Sequence, residues 1–125
     1  MAIRVAGVGL QAGAVTDRPT ADLATMVRHA AAEALAGRRD VQFVLVGPLD
    51  NPRGDGFSGA VLEELSSRGV VRYLGPQPHD AMPGLYAAMD VVVLMSQREG
   101  FPRSLVEAAA MAKPVVASRI RGCRE

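Results

Sequence analysis

At 125 residues, 49% apolar and 22% charged, the chain has the size and composition of one soluble globular domain with a modest core. No apolar run approaches the ~20 residues that cross a bilayer, and the opening residues Met1-Ala2-Ile3-Arg4-Val5 carry no export signal. The net charge of +1 is uneven: from residue 98 onward Arg98, Arg103, Lys113, Arg119, Arg121 and Arg124 face only Glu99, Glu107 and Glu125.

That basic tail reads either as a solvated surface or as a mouth lined for an anion such as a diphosphate. Nucleic acid is not the expected partner, because the arginines are not interleaved with aromatics and the chain has only 3 Phe and 2 Tyr. A single cysteine, Cys123, forms no internal disulfide and points to a reducing cytoplasm. With no CxxC, and with His29 and His79 far apart, there is no case for a zinc site.

Along the chain, apolar runs of strand length alternate with longer segments of helical period. Ile3 to Val8 reads as a first strand, followed by glycines through Gly13. Thr20 or Asp22 caps a helix to about Leu35, with Leu23, Met26, Val27, Ala30, Ala31 and Ala34 on one face, and Gly37 ends it. Val41 to Val46 is a second strand, apolar enough to be buried on both faces. Residues 50–59, rich in Gly, Asp, Asn and Pro, form a loop. A helix from Ser58 or Gly59 to about Arg68 stops at Gly69.

Residues 70–74 make a short third strand that exits through Gly75-Pro76. Residues 79–89 read as helical, but Pro83-Gly84 makes the helix start late or in pieces. Residues 91–95 are the fourth strand, Pro102 opens a helix to about Met111, and 114–118 are the fifth strand. Strands alternating with helices predict an α/β fold, a Rossmann-like parallel sheet with helices on both faces. Such sheets bind ligands beyond the carboxyl ends of their strands. No helix is expected after the fifth strand, which suggests a domain truncated at its C-terminus, with one sheet face thinly covered.

The stretch from Ser96 to Ala108 carries the chemistry. Glu99 lies in the loop after the fourth strand and Glu107, eight residues on, inside the next helix. On that helix Leu105, Val106, Ala108, Ala109 and Ala112 form the expected buried arc, with Arg103, Ser104 and Glu107 opposite. The helix start offers backbone N–H groups and a positive dipole end to an anion. Residue chemistry alone leaves two readings open: two acceptors for a hydroxyl-rich phosphorylated ligand, or two ordinary surface glutamates.

Glu99-Gly100-Phe101-Pro102 with Glu107 resembles the E-x7-E motif of the family 4 (group 1) retaining glycosyltransferases, and the flanking sequence agrees. Val41 to Pro48 resembles the family's second strand and its Gly-Pro exit, and Tyr73-Leu74-Gly75-Pro76 the third strand and base-side turn. Residues 85–94 resemble the helix and strand before the motif, and residues 110–118 and 121–125 the segments after it. The resemblance spans about residues 38–125, whereas residues 1–37 match poorly.

The resemblance implies part of the C-terminal, donor-binding domain of a GT-B enzyme, which transfers sugar from a nucleotide-sugar to an acceptor with retention. In that scheme Glu99 and the backbone of Gly100 and Phe101 hold the donor sugar, and Glu107 accepts from the ribose hydroxyls. Gly75 and Pro76 lie beside the base, and Arg103 and Ser104 near the phosphates. An ionised carboxylate suits a diol, being an acceptor only. No cofactor and no metal is implied, since fixed positive groups stabilise the leaving diphosphate. The missing partner is an N-terminal acceptor-binding domain. The implied acceptor is a lipid carrier or polysaccharide, met in the cytoplasm or at the cytoplasmic membrane face.

The family places an Arg and a Lys after the first strand, aimed at the diphosphate. Here the segment Gly7-Val8-Gly9-Leu10-Gln11-Ala12-Gly13-Ala14-Val15-Thr16-Asp17-Arg18-Pro19 has only Arg18. Either these residues are not the family's first loop, or the phosphate clamp is lost. Ala112 stands where the family has a helix-ending glycine, and an alanine at positive φ there costs about 1 kcal/mol. The glycines at 7, 9 and 13 are spaced one residue too long for a dinucleotide fingerprint, and no acidic residue ends the second strand. Three functions remain in play: a transferase donor domain, a nucleotide-binding module without turnover, and a flavodoxin-like interaction domain without a ligand.

Overall fold

The computed structural model describes residues 3–8, 38, 40–47, 59–69, 71–94 and 100–124. The expected helix at 22–35, the loop at 50–58, Arg18 and Glu99 lie outside them. The elements are β1 (Ile3–Val8), β2 (Val41–Val46), α1 (Gly59–Ser67) and β3 (Val71–Gly75). A 3-10 turn (His79–Ala81) leads into α2 (Met82–Ala88), then β4 (Val91–Leu94), α3 (Arg103–Ala110), β5 (Val115–Ala117) and α4 (Arg121–Arg124). No described helix is long and apolar enough to cross a membrane.

All four strand pairings are parallel, and the sheet order is β3-β2-β1-β4-β5. The strand order reverses direction between β1 and β4, so the crevice of a doubly wound sheet opens past the ends of Val8 and Leu94. Right-handed crossovers put α1 on one face and α2 with α3 on the other. The apolar alternation agrees. Val44 and Val46 share a core cluster with Tyr86, Met89, Val92 and Ala108. Leu45 points to the opposite face, and it too is buried. This is why residues 44–46 read as a continuous apolar run, while Val41, Gln42 and Phe43 before them are only partly covered.

Local chemistry sets the element ends. Gly69 ends α1 at φ 68°, a backbone conformation natural to glycine. The Pro83-Gly84 break is resolved as expected, with the 3-10 turn taking residues 79–81 and the proline falling in the first turn of α2. Strand β3 runs to Gly75 instead of stopping at Leu74. A register shift opposite Leu45 and Val46 lets Gly75, at φ 70°, pair with Val46 and accept from Gly47 N–H at 3.0 Å. The Tyr73 hydroxyl donates to Gly47 O at 2.9 Å and closes the same corner.

Two expectations are corrected. A helical turn, α4, does follow β5, with Cys123 N–H bonding Ile120 O at 3.1 Å. The buried side of α3 is also rotated from the expected arc. Leu105 and Ala108 are buried, but Val106 is 50% exposed and Ala109 and Ala112 face solvent. The rotation follows from Ala108, which is fully enclosed because it packs into the cluster around Tyr86 and Val92.

Candidate functional site

Among the described residues, the contacts of the candidate site gather around Glu107, on the face of the sheet covered by α2 and α3. Helix α3 begins after Pro102, whose φ of −79° and ψ of 77° are not helical. The Pro102 carbonyl accepts from Leu105 N–H at 3.0 Å and Val106 N–H at 3.3 Å, so the proline precedes the helix and does not sit in its first turn. Arg103 N–H is engaged by Phe101 O at 2.9 Å. The Ser104 N–H finds no acceptor among the described residues, and its side chain is half-buried while Arg103 is exposed. Gly100 is exposed, and Phe101 is 69% exposed with no core role.

Glu107 was expected on the solvent side of α3 with Arg103 and Ser104. It is instead half-buried, and both carboxylate oxygens have partners from other elements. The Tyr86 hydroxyl donates to Oε2 at 2.9 Å. The His79 ring nitrogen Nε2 lies 3.1 Å from Oε1, so it carries the proton of that hydrogen bond. His79 belongs to the turn that continues the Gly75-Pro76 exit of β3. The fold therefore brings His79, three residues past the expected base-side loop Gly75-Pro76, to the carboxylate 28 residues further on.

Tyr86 is only 2% exposed, with its ring in the core and its hydroxyl at the rim. Burial, and then the Glu107 carboxylate, push its phenol well above the ordinary tyrosine range. The hydroxyl thus remains a donor throughout any physiological pH. The two helices that carry Tyr86 and Glu107 are locked together. Ala108 packs with Tyr86, and Lys113 Nζ donates to Ala87 O at 2.9 Å at the carboxyl end of α2.

Tyr86 and His79 are partners of Glu107 that sequence reasoning missed. A faint signal was present for Tyr86: a tyrosine on the apolar side of a short helix needs a partner for its hydroxyl. Nothing in sequence spacing points from His79 to Glu107.

A family model described as "Glycosyl transferases group 1" matches residues 10–125. An 84-residue stretch is 45% identical to the N,N'-diacetylbacillosaminyl-diphospho-undecaprenol alpha-1,3-N-acetylgalactosaminyltransferase of Campylobacter jejuni, covering 66% of this chain and 20% of that protein. A 60-residue stretch is 43% identical to the D-inositol 3-phosphate glycosyltransferase of Corynebacterium urealyticum, covering 48% of this chain and 14% of that one. Among solved structures, Anabaena HepE in complex with UDP and glucose is similar over 98% of this chain and 31% of its own, with TM-score 0.69 and 26% identity. WaaG, a glycosyltransferase of lipopolysaccharide biosynthesis, shares the fold at TM-score 0.63 and 23% identity, over 97% of this chain and 30% of its own.

The chain thus spans less than a third of the length of these solved structures. Its parallel α/β sheet is the kind expected of one domain of a GT-B enzyme, as the E-x7-E resemblance implies. With a family model matched over nearly all of its length, the chain belongs to the group 1 glycosyl transferases.

Proposed function

We propose that this chain is the donor-binding domain of a nucleotide-sugar-dependent glycosyltransferase, which transfers the sugar with retention when an acceptor-binding domain is joined to it. The observation that carries the reading is Glu107, set inside α3 beside the turn that follows β3, with its carboxylate held by Tyr86 and His79. A half-buried, oriented carboxylate is an acceptor for a ribose diol and would repel a phosphate, which belongs at the start of the helix near Ser104 and Arg103. Gly100 and Phe101, exposed just before α3, stand with Glu99 as donor-sugar contacts, and Gly75-Pro76 as the base-side loop. HepE, similar over nearly all of this chain, was crystallised with UDP and glucose. The acceptor, a lipid carrier or polysaccharide, belongs to the whole protein, as does a place in the cytoplasm or at its membrane face.

Titration calorimetry with UDP and GDP tests the reading. Glu107→Ala should weaken binding by about one to two decades, the worth of a charged hydrogen bond. Unchanged affinity for both nucleotides would make Glu107 a structural partner of Tyr86 and nothing more.

One sequence feature favours a second reading, a binding module without turnover: residues 9–19 contain a single cation, Arg18. Joining an acceptor-binding domain from a relative distinguishes the two. Sustained transfer supports the enzyme, and tight binding with no transfer supports the module.

A further inference from the structure

A glutamate on an open helix surface samples many rotamers, and a ligand that needs one of them must order the side chain as it binds. Glu107 is not in that situation. Its Oε2 accepts a 2.9 Å hydrogen bond from Tyr86, whose ring is packed among Val44, Val46, Met89, Val92 and Ala108. The neighbour of Glu107 on α3, Ala108, sits in that same cluster, and Lys113 ties the end of α3 to Ala87 beside Tyr86. The Tyr86 ring is enclosed by these neighbours, so the place of its hydroxyl is set by the core. The other contact, from His79 to Oε1, comes from a side chain that is 79% exposed and is free to give way. An ionised carboxylate has about four lone-pair sites. The two contacts use one on each oxygen and leave one on each for a ligand.

We propose that Tyr86 is a positioning residue for ribose recognition: from inside the core it fixes the Glu107 carboxylate, so that a nucleotide's vicinal diol meets an acceptor already in place. The proposal rests on the donor-binding reading of Glu107 above. It assigns the tyrosine a part in binding beyond filling the core. The ligand class is a nucleoside diphosphate, free or sugar-linked, with both ribose hydroxyls intact.

The test compares UDP and GDP with their 2',3'-dideoxy analogues on the parent chain, Tyr86→Phe, Glu107→Ala and the double variant. Phenylalanine keeps the buried ring and removes only the hydroxyl. The preference for the ribo form should fall roughly three- to tenfold in Tyr86→Phe and disappear in Glu107→Ala. The double variant should match Glu107→Ala, because Tyr86 acts only through that carboxylate. A general loosening of the core would weaken both ligand forms together and leave their ratio unchanged. Preference intact in Tyr86→Phe but lost in Glu107→Ala overturns the role of Tyr86 and leaves the reading of Glu107 standing. A parent chain with no preference for either ribonucleotide overturns both.

Discussion

Helices α1 and α3 each cross from one parallel strand to the next, each carry glutamate, and each are followed by a residue in the left-handed region. What those features meet is different. On α1, Leu62 and Leu65 are buried while Glu63 and Glu64 face solvent, and the left-handed residue is Gly69. On α3, Glu107 is gripped from α2 and from the turn before it, Val106 is left half in solvent, and the left-handed residue is Ala112 at φ 55°. The first helix is organised to cover a sheet. The second leaves Val106 half in solvent and an alanine in the left-handed region while it holds a half-buried carboxylate.

The largest effect that separates the two helices is in packing. Leu65 is 1% exposed, so Leu65→Ala should cost about 2–5 kcal/mol in denaturant unfolding, through lost burial and the cavity left behind. Val106→Ala, on the open side of α3, should stay within about 0.5 kcal/mol. Equal losses at the two positions would erase the distinction in how the helices are packed.

The Tyr86–Glu107 contact gives α3 a pH signature that α1 has no means to produce. The folded phenol titrates above its unfolded value of about 10, because burial and then the nearby carboxylate disfavour the phenolate. Its contribution to stability is therefore complete below about pH 10 and is lost as pH rises through the folded value. The slope reaches about 1.4 kcal/mol per pH unit. Denaturation at about pH 8 and about pH 10.5 should show a steeper alkaline loss in the parent than in Tyr86→Phe. Parallel losses would mean that Tyr86 ionises as freely folded as unfolded.

A smaller effect lies at the helix ends. Lys113 N–H bonds Ala108 O and Ala112 N–H bonds Ala109 O, both at 2.9 Å, which draws Ala112 into the left-handed turn. Ala112→Gly should stabilise by about 1 kcal/mol, or about 4 °C in melting temperature. Gly69→Ala should cost about as much, and purely through backbone strain, since a Cβ built at Gly69 meets no atom within 4 Å. If Ala112→Gly gains nothing, the alanine is accommodated there without strain.

These differences also mark what could be read from the residues. The carboxyl half of Val41–Val46 was legible as buried on both faces from its apolar residues, whereas the half that holds Gln42 is only partly covered, and Gly69 was legible as a stop because left-handed backbone favours glycine. The strain at Ala112 was legible once the family resemblance had placed a helix end there. The buried arc of α3 was misread, because Ala108, Ala109 and Ala110 carry the same side chain and the sequence does not say which of them turns inward. Which alanine turns inward is decided by the room left beside Tyr86, a tertiary fact. Glu107 had two sequence readings for the same reason: its partners lie 21 and 28 residues away, on elements whose approach to α3 only the chain topology creates.

The smallest expected effect tests the plainest glutamate. Glu64 Oε1 lies 3.7 Å from Arg68 Nη1, one helical turn away, with both side chains about half exposed. Water competes for each charge, and two long side chains must be ordered to hold the pair. Glu64→Gln should therefore cost no more than about 0.5 kcal/mol, and the cost should vanish in about 1 M salt, where the screening length falls to about 3 Å. The Tyr86–Glu107 contact starts from a buried donor, which salt does not screen in this way. Unfolding of both glutamate variants at low and high ionic strength gives the comparison. A Glu64→Gln cost above about 1 kcal/mol that survived high salt would place Glu64 in the same physical class as Glu107. The contrast between a helix that covers and a helix that presents would then lose its electrostatic half.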